Sequence, residues 1–124
     1  MPIANRGYAD AWVFAPAGRL SHENSDAFRG EFTARIDECL RDGHAVVLDL
    51  SGLEYVSSAG LRCFMLAAKQ VKAHKGRIMI ASMQPVVAEI FQISRFNLLF
   101  EIFATVREAL ESVSEQAVKA FDRG

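Results

Sequence analysis

An α/β domain on a mostly parallel sheet is what the sequence predicts, from three observations. Ala45-Val46-Val47-Leu48-Asp49-Leu50 is a near-continuous apolar run of strand length, as expected of a strand covered by helices on both faces. Phe28, Phe32, Ile36 and Leu40 recur at the three-to-four spacing of one buried helical stripe. Segments of these two kinds alternate from residue 11 onward, and such alternation closes into a parallel sheet through right-handed crossovers.

The first strand is read at Ala11-Trp12-Val13-Phe14-Ala15, which is β-rich and stops at Pro16 and Gly18. Ser21 or Asn24 can cap the helix that follows, and Asp42-Gly43 ends it. After the apolar strand comes a polar connection, then a second helix with Leu61, Phe64, Met65, Ala68 and Val71 on its inner side, closed by Lys75-Gly76. Arg77-Ile78-Met79-Ile80-Ala81 is the next strand. Pro85 suits the first position of a third helix, with Val86, Val87, Ile90 and Phe91 facing in. A short last strand is expected between Asn97 and Phe103. Thr105 and Glu108 have the spacing of a capping box for a terminal helix along Val106, Leu110, Val113 and Ala117. That makes four helices, with residues 116–124 as the end of the last one or a tail. Trp12 and the nine phenylalanines are read as core.

With 124 residues, one domain is expected. At 51% hydrophobic and 23% charged the chain is globular, and a net charge of −1 offers nucleic acid no basic face. Lys69, Lys72 and Lys75 read as a solvated helix face. Cys39 and Cys63 lack ligand spacing and read as buried packing residues in a reducing compartment. His22, His44 and His74 show no zinc spacing. The first residues have no apolar signal region, and no run approaches the roughly 20 apolar residues of a membrane span. The expectation is a cytoplasmic monomer that contacts neither membrane nor nucleic acid.

Chemistry is expected at the carboxyl ends of the strands, where open α/β sheets hold their ligands. The segment from Asp49 to Leu61 leads there, with Ser57, Ser58, Ala59 and Gly60 opening the second helix. Asp49 either starts the turn or bonds the loop. Either serine can cap the helix. The same place suits a phosphate, because free N–H groups and the helix dipole favour negative charge. A serine there can take up a dianion without losing its fold. Arg62, one turn on, is either solvated, part of a partner surface, or placed to meet a phosphate on Ser58 through a charge-assisted bond. A serine hydrolase is disfavoured: the nucleophile elbow Gly-x-Ser-x-Gly reads Val56-x-Ser58-x-Gly60 here.

The run from Val46 to Leu50, followed by Leu53-Glu54-Tyr55-Val56-Ser57-Ser58-Ala59-Gly60-Leu61-Arg62, resembles the signature of STAS domains, the family of bacterial anti-sigma factor antagonists. Gly18-Arg19-Leu20, the strand at residues 77–81, Pro85, Ile90-Phe91, Ser94 and Phe96 fit as well. The likeness covers residues of about 8–115 and implies a four- or five-stranded mixed sheet with helices packed on it. It also implies a function: the unphosphorylated protein binds an anti-sigma factor that is also a serine kinase. Phosphorylation of Ser58 ends that contact, and a metal-dependent serine phosphatase restores it. ATP and Mg²⁺ belong to the kinase, so the chain itself takes no cofactor and is not an enzyme. Ser21, Ser57, Ser58, Ala59, Gly60 and Arg62 form the implied partner face, with Gly60 allowing close approach. Two positions depart from the family: Ser57 and Ser21 stand where aspartate is frequent, which makes Ser57 a rival acceptor. The competing function is a constitutive STAS adaptor on a transporter or signalling complex. The switch requires the Ser58 hydroxyl to stand open to water.

Overall fold

A computed structural model describes residues 1–124. Its main sheet has five strands in the order β1-β2-β4-β6-β7: β1 (Ile3–Tyr8), β2 (Ala11–Pro16), β4 (Ala45–Asp49), β6 (Ile78–Ala81) and β7 (Glu101–Phe103). β1 runs antiparallel to β2, and the other pairs are parallel, so the sheet is mixed. A separate parallel pair joins β3 (Gly18–Leu20) to β5 (Leu53–Val56). The helices are α1 (Ser25–Arg41), α2 (Ser58–Ala73), α3 (Pro85–Ile93), α4 (Val106–Val113) and α5 (Glu115–Asp122), with a 3-10 turn at Phe96–Leu99.

Two-residue alternation along the central strands divides the core. Val46, Leu48, Ile78 and Ile80 face a large cluster that takes in Phe28, Phe32, Phe64 and Phe91 from α1, α2 and α3. Val47, Met79 and Ala81 face the other way, against Ala109 and Leu110 of α4 and Ala117 of α5. On the larger side a chain of aromatic contacts links Phe14, Phe32, Phe28, Phe64, Phe91 and Phe100 at centroid distances of 5.0–6.1 Å. Phe64 thereby ties α2 into this cluster.

Several elements differ from the sequence reading. β1 was not expected, because Asn5, Arg6 and Gly7 break any apolar pattern; it is an edge strand specified by pairing with β2. The polar connection after β4 contains β5, and the turn after β2 contains β3. Cys39 takes the buried position expected of Leu40, which is only half-buried. Trp12, Phe96, Phe103 and Phe121 are likewise half-buried at the margins of the core. Val86 points outward, 55% exposed. The single terminal helix is two: Ser114 (φ −169°, ψ 160°) ends α4 and caps α5, its Oγ accepting from Ala117 N–H at 3.0 Å. The same hydroxyl donates to Asp10 at 2.6 Å, so the break is tied to the β1–β2 turn. Thr105 caps α4 as expected, with its Oγ1 accepting from Glu108 N–H at 3.1 Å.

Candidate functional site at the start of the second helix

Asp49 ends β4, and its carboxylate accepts from Ser51 N–H at 3.1 Å, starting the turn into β5. β5 pairs with β3, Leu20 opposite Val56, with a shift of register between Gly18 and Arg19. Gly18, which adopts φ +99°, turns the chain into β3 and donates its N–H to Gly52 O at 2.9 Å. Just past the pair, Ser57 N–H donates to Leu20 O at 2.9 Å. Helix α2 therefore begins where a short parallel pair delivers it.

The two adjacent serines have different environments. Ser57 is the N-cap: its backbone is extended (φ −84°, ψ 173°), and its Oγ accepts from Gly60 N–H at 3.2 Å. It is half-buried. Ser58 is the first helical residue; it is exposed, and its hydroxyl has no partner in the chain. The condition set by the sequence reading, an open Ser58 oxygen, is met by the geometry. No acidic residue lies in the first turn of α2, so nothing there offsets the partial positive charge of the helix terminus.

The rest of the predicted face divides. Arg62 is exposed, one turn from Ser58, and takes part in none of the ion pairs of the chain. Ser21 is half-buried in the connection after Leu20, close to the start of α2, its Oγ accepting from Glu23 N–H at 3.3 Å. Ala59 is half-buried, and its carbonyl accepts from Cys63 Sγ at 3.5 Å. Gly60 is a correction. It is buried rather than presented to a partner: a Cβ there would stand 2.8 Å from both Leu20 Cγ and Val56 Cγ2. Glycine is needed so that α2 can close on the β3–β5 pair.

Beside Ser57 and Ser58 runs a shallow groove between β5 and α3, lined by Tyr55, Ile90, Ile93 and Ser94. Ile93 is 75% exposed, and Arg19 lies over the Tyr55 ring at 4.5 Å. Sequence reasoning did not include this shelf. The available signal was that Val86, Val87, Ile90, Phe91 and Ile93 are too many apolar residues for one stripe of a nine-residue helix.

Cys63 lies behind the site, and burial pushes its thiol up from the ordinary value; it packs rather than reacts. No group of three or more His, Cys, Asp and Glu residues is placed to hold a metal ion. No helix is long and apolar enough to cross a membrane.

Comparison with known proteins agrees with this fold. The family model described as "STAS domain" matches residues 3–109. A curated relative from Bordetella bronchiseptica, named "Putative anti-sigma factor antagonist BtrV", is 37% identical over 101 residues, covering 82% of this chain and 84% of the relative. Among solved structures, TM1081 of Thermotoga maritima superposes with a TM-score of 0.78 at 23% identity, covering 90% of this chain and 93% of its own. SpoIIAA, an anti-sigma factor antagonist solved in its unphosphorylated form, gives 0.71 at 21% identity over 90% of this chain and 96% of its own. Its phosphorylated form, from Bacillus, gives 0.66 at 20% identity over 91% and 100%. At these identities the solved structures bear on the fold alone.

Proposed function

The chain belongs to the STAS domain family, and from that membership we propose that it is a protein-binding switch of the anti-sigma factor antagonist type. Unphosphorylated, it holds an anti-sigma factor that is also a serine kinase; the face used is the start of α2 with the Tyr55–Ile93 shelf beside it. The kinase transfers the terminal phosphoryl group of ATP to Ser58 Oγ, whose proton leaves, and ADP is released. The modified protein lets go, and a serine phosphatase resets it by hydrolysis.

One observation carries this reading: Ser58 is exposed and unengaged, whereas the hydroxyl of Ser57 is committed to the cap. A kinase can reach the first without dismantling the helix start. The magnitudes are adequate. Moving a population from mostly bound to mostly free takes about 5 kcal/mol, and a dianion forced into a desolvated contact supplies several kcal/mol through repulsion or unpaired burial.

The adaptor reading, with binding and no phosphate, draws on Ser57, which offers a hydroxyl where a carboxylate could orient the acceptor. Incubation with the cognate kinase and ATP separates the two. The switch predicts a gain of about 80 Da, one phosphoryl group, that disappears in Ser58→Ala and persists in Ser57→Ala. An unchanged mass in the parent protein overturns the switch and favours the adaptor.

A further inference from the structure

Ser58 and Arg62 occupy positions i and i+4 of α2, so their side chains are neighbours on its outer face, and both are exposed. The elements packed around this end of α2 bring other charges: Arg19 on β3, Asp26 and Arg29 on α1, Glu54 on β5, Glu89 on α3 and Arg95 just after it. Arg29 faces Asp26 at 3.5 Å, and Arg19 is stacked on Tyr55. Arg62 has no carboxylate and belongs to the same helix as the acceptor serine. A negative group four residues before a positive one is also the favourable order along a helix.

We propose that Arg62 is the intramolecular counter-charge of phosphorylated Ser58, drawing the phosphate back along α2. This deepens the switch reading and rests on Ser58 being the modified residue. The consequence is a double change at the partner face. A dianion appears, and the one free cation that the unmodified first turns of α2 offer is withdrawn into a charge-assisted bond. Release of the partner then does not depend on repulsion alone.

The test uses the full chain with phosphoserine incorporated at position 58 during synthesis, in the parent sequence, Arg62→Gln and Arg62→Lys. The ³¹P resonance is followed through the second ionisation of the phosphate, near pH 6 in the absence of partners. The helix terminus acts equally in all three, so differences report residue 62. The parent is expected to titrate lowest. Arg62→Gln should move the midpoint up by about 0.15–0.4 pH unit, the equivalent of one exposed i,i+4 ion pair, and Arg62→Lys should retain most of the parental shift. Thermal unfolding of each variant verifies that the fold is intact. Superimposable curves for the parent and Arg62→Gln overturn the pairing. Because the phosphate is installed synthetically, a kinase that ignores Ser58 counts against the switch and leaves this measurement standing.

Discussion

Gly60 and Leu20 approach so closely that a Cβ on the glycine would stand 2.8 Å from Leu20 Cγ and 3.0 Å from its Cδ2. This contact joins the first turn of α2 to β3, and with Val56 on the other side it sets the position of the candidate site. The small residue that the sequence offers as room for a partner is room for the protein's own core.

Gly60→Ala is therefore expected to destabilise the fold. Overpacking costs about 1–3 kcal/mol, against which alanine recovers at most about 1 kcal/mol of helix propensity. Urea unfolding gives the sign. In the double mutant with Leu20→Ala the penalties should be less than additive, because truncation of Leu20 opens the space that the methyl group needs. A strictly additive double mutant contradicts the close contact.

The adjacent serines should respond unequally to alanine. Ser57→Ala removes the hydroxyl that accepts Gly60 N–H, at a cost of about 1 kcal/mol. Ser58→Ala removes an unengaged group and should stay within about 0.5 kcal/mol of the parent. Differential scanning calorimetry on the two variants checks the order. Equal losses would mean that both hydroxyls take part in the cap.

Arg77 and Glu101 form a two-pronged ion pair, Nε to Oε2 at 3.0 Å and Nη2 to Oε1 at 2.7 Å. Hydrogen bonding to Arg77 holds the Glu101 carboxyl below its ordinary value. A carboxyl lowered in the folded state stabilises the fold above its unfolded value, about 4.3, and that contribution fades as pH falls through the lower folded value. Both side chains are more than one-third exposed, so screening limits the gain to about 0.5 kcal/mol. Glu101→Gln should be slightly less stable than the parent at pH 7 and indistinguishable at pH 2.5. A gap that persists in acid would implicate packing instead.

Cys39 is buried at 4% exposure, and burial, aided by Glu38 and Asp42, pushes its thiol up to about 11. At pH 8 about one part in a thousand is thiolate, compared with about a quarter for an ordinary cysteine. Native protein should react with a thiol-specific alkylating reagent far more slowly than protein in 6 M guanidinium chloride, at Cys39 and at the similarly buried Cys63. Rapid native labelling at either residue would contradict its burial.

Elements with a strong local signal were legible. The apolar run of β4, the stripe Phe28–Phe32–Ile36 of α1 and the Thr105 cap of α4 depend on a few consecutive residues, and each is where the sequence puts it. β1, β3 and β5 carry no such signal. Three residues, Gly18–Leu20, become a strand only because Leu53–Val56 lies alongside, and the polar β1 is held by β2. Local propensity is a weak guide to strands whose stability comes from cross-strand partners. For the site, the Ser57–Ser58–Ala59–Gly60 segment was readable as a helix start, but which serine caps it was not, since two adjacent serines satisfy the same rule equally.

The order of residues along the chain by itself determined the alternation of strand and helix, the buried stripes and the place where α2 begins, because each follows from the periodicity of neighbours. Only the tertiary structure decided that Ser57 is the engaged hydroxyl and Ser58 the open one, that Gly60 faces Leu20, and that Ile93 lies beside the site. Those outcomes depend on the approach of segments about thirty residues or more apart, β3 to β5 and α3 to β5, and a contact across that separation leaves no periodic trace in either segment alone.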